Sequence, residues 1–85
     1  MAKTIQLQIV TPQKIVFNGE VEHFTAPGAL GPFQVLHNHA PIVSTLVAGP
    51  FRVVDSKGKE EVFQVTGGFL ELHNNSATVL ADAVI

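Results

Sequence analysis

The chain has no cysteine, tryptophan or tyrosine. Without cysteine there is no disulfide framework and no thiolate metal site, which leaves a hydrophobic core to hold the fold. Charge is scarce as well. Charged residues are 14% of the chain, and seven acids against five bases give a formal net charge of −2. The bases Lys3, Lys14, Arg52, Lys57 and Lys59 are scattered. The basic stripe that neutralises phosphates is therefore missing, and nucleic acid is not an expected partner. Long apolar runs are absent too: stretches such as Ile15-Val16-Phe17 soon meet a polar residue, whereas a membrane-crossing helix needs about 20 apolar positions. No secretory apolar segment follows Lys3. The chain is expected to stay in the compartment where it is made and to meet a membrane only through a partner.

What is present is apolar residue content, at 46% of 85 residues. That suits a single domain, 1–85, near the lower limit of independent folding. The dominant period is two. Ile5, Leu7 and Ile9 alternate with Gln6 and Gln8, and the same rhythm runs through Ile15 and Phe17, Val21 and His23, Phe63 and Val65, Leu70 and Leu72, and Val79 to Ile85. This is the pattern of half-buried strands. Turn chemistry separates them. Thr11-Pro12-Gln13-Lys14, Asn18-Gly19, Asp55-Ser56-Lys57-Gly58 and Asn74-Asn75-Ser76 read as turns, and Gly67-Gly68 as a bulge or corner. Pro27 to Pro32 reads as a loop displaying Ala29-Leu30, with Phe33, Val35 and Leu36 returning to the core. Ile42 to Ala48 fits a short helix or a bent strand, and its β-branched content favours the strand. The sum is an all-β sandwich or barrel.

Candidates for chemistry are few. In an extended segment His37 and His39 would share a face and could share a metal. Gly31 followed by His37-x-His39 also matches the opening of the cupin metal motif, but that motif then requires a glutamate where Val43 and Ser44 stand. A small β-barrel metal protein built on His37 and His39 is the alternative reading. Glu20, Glu22, Glu60 and Glu61 flank expected turns and read as solvated charge. No nucleophile elbow and no phosphate-binding loop are present, so neither catalysis nor a bound cofactor is expected. The stretch from Pro27 to Pro41, with stiff and partly apolar loops, suits a protein-binding surface.

Six segments together resemble the N-terminal domain of the epsilon subunit of bacterial-type F-type ATP synthases. They are Ile9-Val10-Thr11-Pro12, Phe17 to Glu22, Thr25-Ala26-Pro27-Gly28, His39-Ala40-Pro41-Ile42-Val43, Gly67 to Leu72 and Ala77 to Asp82. The resemblance implies a flattened β-sandwich of about ten short, mostly antiparallel strands. It implies a non-catalytic place in the central stalk, at the cytoplasmic face of the bacterial inner membrane. There the subunit binds gamma and the c-ring and helps couple ion translocation to ATP synthesis or hydrolysis. By position, Gly28, Ala29, Leu30, Gly31, Pro32 and Phe33 match the loop facing the c-ring, and Thr11, His39, Ala40, Pro41 and Ser44 match the region facing gamma. Two departures stand out: the c-ring loop is apolar where many relatives carry an acid, and His37-Asn38 replaces Pro-Gly. The C-terminal helical hairpin of most relatives has no counterpart in these residues. The chain itself is not expected to bind ATP.

Overall fold

The structure, a computed structural model, describes residues 3–85. It contains seven strands: β1 (Ile5–Val10), β2 (Ile15–Val21), β3 (His23–Gly28), β4 (Gly31–Leu36), β5 (Ile42–Val54), β6 (Glu60–His73) and β7 (Ser76–Ala81). They form one hydrogen-bonded sheet in the order β2-β1-β7-β6-β5-β3-β4. All pairings are antiparallel except β1 with β7, which run parallel. The sheet folds back on itself. Phe17 on β2 and Phe63 on β6 are not on neighbouring strands, yet their rings meet edge to face with centroids 5.8 Å apart. Extents of 34 × 22 × 18 Å give the flattened outline that the resemblance implies.

There are fewer strands than the expected ten because two are long: β5 has 13 residues and β6 has 14. Gly49-Pro50 and Gly67-Gly68 lie inside them instead of dividing them. Gly67 and Gly68 have φ of +139° and +144°, a conformation that glycine reaches without strain. The ladder to β5 continues through both.

The period-two reading locates the core. Ile5, Leu7, Ile9, Val21, Leu70, Leu72, Val79 and Ala81 are buried, together with Phe24, Val35, Leu46, Phe51, Val53 and Val65. Phe24 and Phe51 stack with centroids 5.2 Å apart. Four expectations change. Asn18-Gly19 is not a turn: the two residues sit inside β2, opposite Gln8 and Leu7. A bend at Glu22 shifts the phase, so Phe24 is buried and His23 only half-buried. Ile15 and Leu36 face solvent, as do Ala83 and Ile85 at the end of the expected alternation. Finally, Pro27 and Pro32 do not bound a loop. They pair across a β3–β4 hairpin whose turn is Ala29-Leu30 alone. Proline is tolerated there because β4 is an edge strand and Pro27 falls where the β3–β5 register breaks.

The remaining turns match their sequence signals. Asn74 and Asn75, at φ 50° and 60°, make the two-residue turn between His73 and Ser76, a turn type that needs positive φ at both positions. At the β5–β6 turn the Asp55 carboxylate accepts the backbone N–H groups of Lys57 and Lys59, both at 2.9 Å. These bonds, that of Lys59 first, lower the Asp55 pKa below its ordinary 3.8. A depressed carboxylate pKa contributes order above the ordinary value and loses it as pH falls through the folded-state value. The Lys57 and Lys59 amide resonances should therefore move with a midpoint below 3.8 when followed by NMR. A midpoint at or above that value would mean that the carboxylate does not hold the turn.

Candidate functional site

Two surfaces gather the residues singled out in the sequence. The first is the β3–β4 hairpin. Its tip is tied down, because the Ala29 N–H donates to the carbonyl of Thr45 at 3.0 Å. Leu30 stands clear of the body at 105% relative exposure. Ala29, Gly31 and Pro32 are exposed beside it, whereas Gly28 is buried and Phe33 packs partly against the core. At Gly28 a Cβ would lie 2.8 Å from both the Phe33 ring and the Gly31 carbonyl oxygen. Gly28 thus lets the two strands close. The hairpin and the start of β5 (Ile42 to Thr45) enclose an open groove of about 500 Å³. Ser44 belongs to this groove, half-buried, with its hydroxyl donating to the Thr45 carbonyl at 3.2 Å.

The second surface lies on the outer face of β1, β7, β6 and β5. Register places Val10, Leu80, Phe69 and Thr45 in one row across the four strands. Val43, two residues before Thr45, points the same way. Exposure is 74% at Val43, 56% at Phe69 and 57% at Leu80. Thr11 and Pro12 border one end of this apolar strip, and Pro41 borders the other. Thr11 itself is buried: its hydroxyl accepts the Gln13 and Lys14 N–H groups and donates to the Lys14 carbonyl, each at 3.3 Å. It shapes the turn and is not displayed. His39, Ala40 and Pro41 are exposed, and the His39 ring holds the Ala40 carbonyl at 2.7 Å through Nδ1.

Val43, Phe69 and Leu80 were not singled out from sequence. Their signal was available, since each is an apolar residue out of phase with buried neighbours: Leu70 and Leu72 point inward, so Phe69 must point outward.

The histidine pair does not assemble as its extended reading requires. His37 and His39 lie beyond β4 in a turn closed by the His39 N–H to the Leu36 carbonyl at 3.1 Å, with Asn38 at φ 66° between them. Among the described residues no three His, Cys, Asp or Glu side chains come together in a metal-holding group. Nor is there a helix long and apolar enough to cross a membrane.

These features define a class: a small β-sandwich that presents apolar surface on one face and at one hairpin tip. The family described as ATP synthase, Delta/Epsilon chain, beta-sandwich domain matches residues 4–85, and the chain belongs to it. Similar proteins are named ATP synthase epsilon chains. An ATP synthase epsilon chain of Chlorobaculum tepidum is 45% identical over 96% of this chain and 93% of its own length. That of Desulforamulus reducens is 48% identical over 96% of this chain but only 61% of its own length. Among solved structures, a chain of the Euglena gracilis mitochondrial ATP synthase superposes with a TM-score of 0.92 at 20% identity, over 98% of this chain and 53% of that one. A chain of the Tetrahymena thermophila mitochondrial central stalk and c-ring structure gives 0.80 at 18% identity, over 95% and 65%. At such identities these two show the fold. The described chain thus spans nearly all of some relatives and little more than half of others. Epsilon chains are structural and regulatory subunits of the ATP synthase, not its catalytic ones.

Proposed function

We propose that this chain is a rotor subunit of an F-type ATP synthase that seats on the gamma subunit and touches the c-ring, at the cytoplasmic face of the membrane. The observation that carries the reading is the apolar strip Val43–Phe69–Leu80. It crosses β5, β6 and β7 and is bordered by Thr11 at one end and Pro41 at the other, two residues that the family resemblance assigns to gamma. Apolar area of this kind on a small sandwich is stabilised by burial against a partner. The c-ring contact falls to the hairpin tip, where Ala29 and Leu30 are offered on two paired strands stiffened by Pro27 and Pro32. Such a tip keeps its shape under load, as a rotor coupling ion flow to ATP synthesis or hydrolysis requires. Ser44 supports the hairpin groove and not the gamma strip.

The test is reconstitution with the matching gamma subunit and c-ring. A stable one-to-one complex with gamma is expected. The double variant Ala29→Asp, Leu30→Asp should keep the fold and the gamma complex but weaken c-ring association by at least about tenfold, since a carboxylate buried without a partner costs several kcal/mol. Unchanged c-ring association would remove the hairpin from the contact. Absence of a gamma complex with the folded chain would overturn the reading.

A further inference from the structure

One end of the sandwich is laced by a chain of amides. The Gln6 side chain donates to Asn18 Oδ1 at 3.0 Å, and the Gln6 N–H donates to the Asn75 carbonyl at 2.8 Å. Asn75 then meets Asn38, which is 37 positions away, in a reciprocal pair. The Asn38 N–H donates to Asn75 Oδ1 at 2.6 Å, and Asn75 Nδ2 donates to Asn38 Oδ1 at 3.0 Å. Both asparagines have left-handed backbones, at φ 66° and 60°. Asparagine tolerates that conformation well among residues with a side chain.

The pair joins two turns that the sheet ladder does not join. One is the β6–β7 turn. The other is the Leu36–His39 turn, which leads straight into Ala40-Pro41 and the border of the apolar strip. Apart from the contact of the His39 ring with the adjacent Ala40 carbonyl, no other side-chain hydrogen bond among the described residues ties the Leu36–His39 turn to residues outside it. One surface hydrogen bond would leave that turn free to swing, whereas two between the same residues fix both distance and orientation.

We propose that Asn75 is a positioning residue for partner docking: through its paired bonds to Asn38 it holds His39-Ala40-Pro41 in the orientation that gamma contacts. This rests on the gamma reading above. A segment already ordered before association does not add its ordering cost to binding.

Asn75→Gly tests it in the full chain, because glycine keeps the left-handed backbone and the carbonyl bond to Gln6 while removing both side-chain bonds. Its melting temperature should stay near that of the unmodified chain. Affinity for gamma should fall by about 3- to 10-fold, the scale of one or two surface hydrogen bonds. In the free chain, hydrogen exchange at the Asn38 amide should accelerate about tenfold while that at Leu70 does not change. Asn38→Asp retains the Oδ1 acceptor and the backbone donor, and should bind gamma as the unmodified chain does. If Asn75→Gly binds gamma undiminished, or Asn38→Asp loses as much as Asn75→Gly, the proposal fails and the gamma reading stands. An unprotected Asn38 amide in the unmodified free chain overturns the clamp whatever gamma does. Failure of the unmodified chain to bind gamma removes the reading, and this proposal with it.

Discussion

Gly68→Ala should destabilise the chain by about 3 kcal/mol or more, a large part of the roughly 4–13 kcal/mol expected for a domain of this length. Two causes add. The backbone there has φ +144°, where an L side chain is strained, and the new Cβ would collide with the Leu80 carbonyl oxygen and lie 2.9 Å from Ala81 Cα. These are backbone atoms of the paired strand β7, so no rotamer change can relieve the contact. Gly58→Ala is the control. Its φ of +82° carries strain, but nothing lies within 4 Å of the added carbon, so its cost should be about 1–2 kcal/mol. Urea denaturation of the two variants separates the terms. Equal midpoints would mean that β7 gives way at Gly68.

Leu72→Ala should cost about 2–5 kcal/mol. Leu72 is 2% exposed and lies between Ile42 on β5 and Ala77 on β7. Because Ala77 is small and Ile42 is only half-buried, the cavity can collapse mainly from the Ile42 side. Phe69→Ala, three residues away on the opposite face, removes a larger side chain yet should cost clearly less, because Phe69 is already 56% exposed. Equal losses for the two variants would show that the outer strip is covered in the free chain.

The inward-facing strand positions and the turns at Thr11, Asp55 and Asn74 were legible because each rests on a local cause: alternation, a side-chain cap, or a positive-φ residue. What was not legible depends on pairing partners. Asn18-Gly19 has the composition of a turn but is held extended by β1. Pro27 and Pro32 resemble breakers and yet face one another across a hairpin. The residues proposed to face gamma and the c-ring came from family resemblance and not from pattern; in the fold Ser44 lines the hairpin groove and the Thr11 hydroxyl is used within its own turn. The strip is legible only through phase, because an outward apolar residue differs in sequence from a core residue only by alternating with inward neighbours.

The parallel pairing of β1 with β7 has a kinetic consequence. Gln6 lies beside Ser76, so the pairing must close nearly the whole chain into a loop. The β1–β2 hairpin has no other neighbour in the sheet and, as two strands, is marginal in water. β3–β4, β5–β6 and β6–β7 are local hairpins, and β3 joins β5 across the intervening β4, whereas β1 and β2 must dock on β7 across the longest span. Folding should therefore be limited by that long-range step, and substitutions in β1 such as Leu7→Ala should slow folding as well as speed unfolding.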